Sequence, residues 1–385
     1  MLSKKEKLIS LIYNAVFSAP LPEDFPSALT DEEGTILLHA SKIHDLAHIV
    51  AFALKNNKIE VSSELNAKFQ KYLFMSVFRS EKLQYELNRI SDIFEQEKIP
   101  FIPLKGAVLR PYYPEPWLRT SCDIDLFVSE EDLAAAEKAV VEKAGYRVHG
   151  QWKGERSFFS VDGIHLELHF YDEADEEEGL IFREIFDYAS PEPGFQYRMH
   201  TEWEFFYAHH MLHMSKHFSH GGCGIRPFID LALMCDKILL DDKKKKAYLE
   251  RYGLTVFSNA AELLASVWFG EEEHTSLTKQ MQDYLLGAGI YGSVENRIAL
   301  EKSGKSKQLS GFFQHVWLPY DVIKHQFSVL QRHKWLLPVF QMKRWFHLIF
   351  CGGLKRSMHH IRENLNVSDD RIKLVSELME RLELS

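Results

Sequence analysis

The chain has 385 residues, 45% of them hydrophobic, enough for two or three domains with cores of their own. No run of some eighteen apolar residues occurs, so no transmembrane helix is expected, and Met1–Lys7 leads into an amphipathic segment rather than a signal-peptide core. The cysteines Cys122, Cys223, Cys235 and Cys351 stand far apart with no Cys-x-x-Cys pair, which points to reduced thiols in a cytoplasm and away from a zinc-thiolate site or a disulfide frame. The net charge of −9 is uneven: from Lys302 to Arg362 eleven Lys and Arg meet one acidic residue, Asp321, whereas Asp172 to Asp187 is acidic. A basic C-terminal third suits a phosphate-rich partner or a membrane surface, and a solvated helical face is the plainer reading.

Residues 1 to 98 read as helices, with apolar residues at helical spacing in Leu8-Ile9, Leu11-Ile12, Val16-Phe17 and again in Phe69, Leu73, Val77 and Phe78. One long amphipathic helix carries Leu83, Leu87, Ile90 and Phe94 as a stripe up to Lys98. The pattern then changes. Residues 99–103 suggest a short strand, Leu104-Lys105-Gly106 a turn opening a short helix to Leu109, and Pro111, Pro114 and Pro116 a loop. A strand over 123–128 is followed by a helix from about Glu130 to Ala144, with Glu130, Glu131 and Asp132 suiting its N-terminal dipole and Gly145 ending it. Residues 146–151, 157–161 and 164–170 read as strands, the last two joined through Asp162-Gly163, a hairpin signal. Beyond Phe186 the pattern is helical: 201–218, 227–240, 243–252, 255–269, 275–289, a proline- and aromatic-rich region from 311, and a last helix over 368–383. The expected fold class is α+β, mostly helical: an N-terminal helical region (1–98), a small mixed α/β core (99–190) and a C-terminal helical domain (191–385).

Asp123 and Asp125 are two residues apart in Ser121-Cys122-Asp123-Ile124-Asp125-Leu126-Phe127-Val128, which otherwise reads as a buried strand. Strand alternation puts both carboxylates on one face and Cys122, Ile124 and Leu126 on the other. Carboxylates that close repel one another, and the commonest remedy is a hard divalent cation, Mg²⁺ or Mn²⁺, which also bridges to substrate phosphates. A two-metal arrangement needs a third carboxylate. Glu167 is the candidate, because in His165-Leu166-Glu167-Leu168-His169-Phe170 alternation gathers His165, Glu167 and His169 on one face. Asp172, Glu173 and Asp175 are weaker rivals in the acidic loop beyond. Gly106, between a strand and a helix, allows close approach of a phosphate to free N–H donors; Lys105 adds charge, and Arg119 and Ser121 offer a guanidinium and a hydroxyl for triphosphate oxygens.

Leu104-Lys105-Gly106, Arg119-x-Ser121-x-Asp123-x-Asp125 and Glu167-Leu168-His169 together resemble the nucleotidyltransferase superfamily of the DNA polymerase β type. Within it, the likeness is to the bacterial uncharacterised nucleotidyltransferase-like proteins that share Leu-Lys-Gly and Ser-x-Asp-x-Asp. It is looser through the helical region to Leu336-Leu337-Pro338 and Arg344, and Ala107 stands where the family usually has Gly or Ser. The resemblance implies transfer of a nucleoside monophosphate from an NTP such as ATP to an unknown acceptor, with pyrophosphate released. It also implies Asp123, Asp125 and Glu167 as catalytic metal ligands.

Other constellations are more open. His209, His213 and His217 form a helical stripe, but His209-His210-Met211-Leu212-His213 lacks the Glu of a His-Glu-x-x-His hydrolase, so a helix face with a histidine turned to the site is preferred to a zinc centre. His169, His213 and Arg226 are candidate substrate contacts, and Arg226 and Asp230, four apart, suggest a polar contact between helices. The basic third interleaves Lys343, Arg344, Lys355 and Arg356 with Trp317, Tyr320, Phe327, Trp335, Phe340, Trp345, Phe346 and Phe350, mostly core-like aromatics. The alternatives to an enzyme are a non-catalytic nucleotide-binding or regulatory module, and an RNA- or membrane-surface-binding protein using that basic third.

Overall fold

A computed structural model describes residues 2–172, 179–290, 292–303, 334–337, 340 and 367–384. The N-terminal helices start where the sequence offers caps. Helix α1 (Lys4–Phe17) opens on a capping box of Ser3 and Glu6, and α2 (Asp31–Ile43) on one of Thr30 and Glu33. Helix α3 (Ala47–Asn56) follows, then α4 (Ser63–Glu97), a single helix of 35 residues. The buried stripe of α4 serves two cores. Leu65 and Phe69 pack with α1 to α3, whereas Leu83, Leu87, Ile90 and Phe94 pack under a sheet.

That sheet is built from β1 (Phe101–Pro103), β2 (Asp123–Val128), β3 (Arg147–Trp152), β4 (Glu155–Phe159) and β5 (His165–His169), in the spatial order β1-β2-β5-β4-β3. Only β2 and β5 run parallel; the other pairs are antiparallel. Helix α5 (Gly106–Leu109) precedes β2, and α6 (Glu130–Glu142), capped by Ser129, follows it. One face buries Ile124, Leu126, Val128, Phe158, Leu166 and Leu168 against α4 and α6. The turn from β4 to β5 forms as the sequence suggests, with Gly163 at φ +78°, a conformation glycine adopts without a steric penalty. At the far end of the other face Phe127 packs on Phe182 of α7 (Gly179–Glu184) and on its neighbours. The rest of that face is polar and holds the site.

The stretch beyond Phe186 is not helical from its start. A two-stranded ribbon, β6 (Ala189–Pro191) with β7 (Met199–Thr201), precedes the helices, because Pro191, Pro193 and Gly194 favour a turn over a helix. Helices α8 (Trp203–Ser219), α9 (Arg226–Lys237), α10 (Asp242–Arg251), α11 (Thr255–Phe269) and α12 (Ser276–Leu286) match the expected ones within a few residues. Helix α13 (Val294–Lys302) is an addition, and α14 (Asp369–Arg381) is the expected last helix. Leu11 and Ile12 of α1, Ile49 of α3, Phe228 of α9, Leu264 of α11 and Leu378 of α14 all belong to one core, so helices from both ends of the chain bury one another. Cys122 is exposed just before β2 rather than buried with Ile124; it, Cys223 and Cys235 are free thiols, and Cys351 lies outside the described residues. The aromatic and basic region from 311, apart from a short piece at 334–337 and Phe340, also lies outside them. Among the described residues no helix is long and apolar enough to cross a membrane.

Candidate active site

The polar face of the sheet is organised by strand register. Asp123 lies opposite His165, which lies opposite Phe159; Asp125 opposite Glu167, then Ser157, then Gly150; Phe127 opposite His169, then Glu155, then Trp152. Residues opposed across a sheet share a face, so these three rows carry their side chains to the same side. The expected carboxylates, Asp123, Asp125 and Glu167, thereby come together. They form two groups, Asp123–His165–Glu167 and Asp125–Glu167–His169, each with ligand atoms within 4.8 Å of one another. Oxygen and imidazole donors at that spacing fit a divalent cation, with Glu167 common to both groups.

Neighbouring cations balance part of this charge. Lys105 Nζ donates to Asp125 Oδ1 at 2.9 Å, and His169 Nε2 lies 2.9 Å from the same oxygen and 3.6 Å from Glu167 Oε2. Burial alone would raise the Asp125 pKa, but Lys105 and His169 override it and hold the carboxyl well below its ordinary value. His169 is pushed the other way: burial opposes its charge, yet hydrogen bonds to Asp125 and Glu167 lift it to about 9. Asp123 is raised to about 7, first by burial and then by repulsion from Asp125. Electrostatically the site has room for more positive charge beside Asp123. His165 is held on its other side by Ser157 Oγ, 2.6 Å from Nε2.

The Leu104–Ser121 connection flanks the carboxylates on the other side. The Leu104 N–H donates to the Asp125 carbonyl at 3.0 Å, which ties the Leu-Lys-Gly turn to β2, and Lys105 takes φ +47°. Helix α5 has only four residues, so a helix dipole adds little at Gly106. Charge comes instead from side chains. Arg110, which sequence reasoning overlooked, is buried and donates through Nη2 to Ser121 Oγ at 3.0 Å, while Ser121 Oγ donates to the Asp123 carbonyl at 3.0 Å. Burial, then Arg119, lowers the Arg110 pKa to about 10. A side chain at Gly106 would project towards Arg119 and Ser121, so the glycine faces both residues.

A profile described as an uncharacterised nucleotidyltransferase matches residues 31–270, more than half of the chain. The chain belongs to that nucleotidyltransferase family. No curated protein matches it. The family's matched region contains every carboxylate, histidine and basic residue of the polar sheet face, and extends into the helices that support it.

Those supporting helices correct one expectation. Arg226 and Asp230 of α9 reach connecting segments rather than another helix. Asp230 accepts from Arg119 Nε at 2.8 and 3.0 Å and from the Tyr113 hydroxyl at 2.7 Å, whereas Arg226 Nη2 bonds Asp45 Oδ2 at 2.5 Å. Loops from earlier in the chain reach both side chains, because a buried guanidinium such as Arg119 needs a carboxylate wherever the fold brings one. Arg226 nevertheless stays near the site, because Asp45 also accepts from Thr120 Oγ1 at 3.0 Å, next to Ser121. Within the stripe, His213 Nε2 lies 3.1 Å from His217 Nε2. His209 is buried beside Phe182, whose ring also neighbours His169. Among the described residues the histidine stripe is not one of the clusters with metal-ligand geometry. Tyr113 carried no sequence signal, and the spacing that drew attention to Asp230 did not show its partners, which lie more than a hundred residues away. Arg110 had a weak one: it stands four residues after Gly106, one helical turn along.

Proposed function

We propose that the chain transfers a nucleoside monophosphate from an NTP to an acceptor hydroxyl with Mg²⁺ or Mn²⁺ as cofactor, releasing pyrophosphate. The observation that carries this reading is the convergence of Asp123, Asp125 and Glu167 on adjacent parallel strands, beside Ser121 and the turn bearing Lys105 and Gly106. Asp123 and Asp125 would hold the cation with Glu167 as the third carboxylate. A bound divalent ion would offset the charge developing on phosphorus and make the acceptor oxygen easier to deprotonate. Lys105 would leave Asp125 for the triphosphate as the cation takes its place, and Ser121 and Gly106 would line the phosphate path, with Arg119 and Arg110 behind them. In the reaction the acceptor oxygen bonds to the α-phosphorus and its proton passes to the Glu167 carboxylate. The bond from α-phosphorus to the bridging oxygen breaks, and pyrophosphate leaves with the electron pair. His169 would keep Asp125 oriented, and His213 and Arg226 would act further out, on the acceptor.

The division at residues 98 and 190 and a cytoplasmic setting belong to the same proposal. Incubation with each labelled NTP, Mg²⁺ or Mn²⁺ and a cell extract, beside Asp123→Ala, tests it. Label passing to an acceptor only with the unaltered chain is the expected result. Absence of transfer from both, with nucleotide still bound, would favour a non-catalytic nucleotide-binding module instead.

A further inference from the structure

The polar sheet face continues past Glu167 into a cleft of about 360 Å³. Its floor is Ser157, His165 and Glu167, with Glu155 on the same face, and its walls are aromatic. Phe159 stacks on His165 at 4.5 Å between centroids and 11° between planes. Trp152 reaches back across Gly150. A Cβ at Gly150 would lie 2.3 Å from Cη2 and 2.6 Å from Cζ3 of the indole, so glycine there lets the ring lie over the strand. Trp152 is 54% exposed, although it is large and apolar.

The charge of the cleft differs from that of the phosphate side. Among the described residues its lining includes no Lys or Arg, whereas Glu155 and Glu167 both line it. Burial, and then Glu167, raise the Glu155 pKa, as expected for two acids sharing a half-dry space. Lys105 and Arg110 lie instead by Asp125 and Ser121. A triphosphate or a phosphorylated acceptor would meet more negative charge and fewer basic side chains here than beside Lys105 and Arg110. Aromatic walls offer a flat apolar surface, and carboxyls, a hydroxyl and histidines offer hydrogen-bond partners for hydroxyl groups.

We propose that this cleft is the acceptor subsite and takes an uncharged polyhydroxylated ring, a saccharide, with one ring face on Trp152 and hydroxyls directed at Glu155 and Glu167. The assignment of the cleft to the acceptor rests on the nucleotidyl-transfer reading, because Glu167 is the residue shared by the cleft and the metal-ligand groups.

Saturation-transfer NMR on the full chain tests the chemistry, with maltose as the neutral probe and glucose 6-phosphate as its anionic counterpart, each in the presence of Mg²⁺. Maltose is expected to receive saturation, and its binding should weaken about fivefold or more in Trp152→Ala, the worth of one aromatic contact. Glucose 6-phosphate should bind more weakly than maltose. Because Trp152 is half-exposed, the variant should keep the thermal midpoint of the parent, which is checked on the same sample. No saturation of maltose, equal or stronger binding of glucose 6-phosphate, or maltose binding untouched in Trp152→Ala would each overturn the proposal. Binding of Mg-ATP, read in parallel, separates the two ideas. Maltose bound without ATP would count against nucleotidyl transfer and leave the saccharide cleft standing, whereas ATP bound without maltose would sink the cleft alone.

Discussion

Asp230 joins the loop that carries Ser121 to helix α9, and its removal should expose how far the site depends on that joint. The side chain is 1% exposed, and both oxygens lie within 3.0 Å of Arg119 Nε while Oδ1 also accepts from Tyr113. Burial opposes a charge on Arg119, but Asp230 more than offsets it and holds the guanidinium above its ordinary range. Asp230→Leu would leave that buried cation with the Thr120 carbonyl, 2.7 Å from Nη1, and strand the Tyr113 hydroxyl. Breaking a buried pair from one side costs on the order of 3–5 kcal/mol, and a stranded buried hydroxyl adds about 1 kcal/mol. Replacing both partners with apolar groups is far milder, so Arg119→Met/Asp230→Leu should lose no more than about 2 kcal/mol. Urea unfolding followed by circular dichroism, with the slope of the transition unchanged, reads these differences. A single variant that loses under about 1 kcal/mol, or a double variant that loses the sum of the two singles, would refute the idea that an uncompensated buried charge sets the cost.

Asp123→Asn should stabilise the metal-free chain while removing activity. The Asp123 pKa rises to about 7 on folding, from the 3.8 of an ordinary aspartate, so its ionised form is disfavoured in the folded state and stability falls as pH climbs between those values. At pH 8 in EDTA the amide should therefore gain on the order of 1–3 kcal/mol, with no gain left near pH 4, while nucleotidyl transfer drops at least about 100-fold. Gly106→Ala should fold with stability within about 1 kcal/mol of the parent, because its Cβ would sit 3.4 Å from Arg119 Nη1 and 3.5 Å from Ser121 Cβ, ordinary contact. Nucleotide binding measured by calorimetry should nonetheless weaken about tenfold as the methyl narrows the phosphate path; unchanged affinity would remove Gly106 from that path. Burial lowers His44 to about 4 from 6.5, so its neutral form is part of the fold: the contribution is complete above pH 6.5 and is lost as pH falls towards 4. His44→Gln should flatten the acid limb of the thermal midpoint between those pH values by on the order of 2–3 kcal/mol, and an unchanged limb would show that other groups govern it.

Alternation on two short strands was legible because it is a local property. A period of two places Asp123 with Asp125, and His165 with Glu167 and His169, whatever the strands pair with. The glycines at 145 and 163 marked real breaks for the same reason, since each sits where the chain turns with positive φ. Arg226 and Asp230 were misjudged, as contacts to another helix, because spacing along one helix does not show which distant segment its side chains will meet. The Tyr113 and Arg119 partners of Asp230 arrive from a loop more than a hundred residues earlier. The ribbon of β6 and β7 was missed because strands of three residues are too short to show a period.

The sequence by itself therefore determined the candidate carboxylates, their faces and the small mixed sheet that bears them, since those depend on neighbours a few residues apart. Tertiary structure decided that β5 lies directly beside β2, which turns two polar strands into one site, and that helices from both ends of the chain share a core. It also decided that Lys105 and His169 both hold Asp125, and that Trp152 folds over Gly150 to wall a cleft. Such outcomes rest on contacts between distant segments, which form only when burying apolar surface brings those segments together.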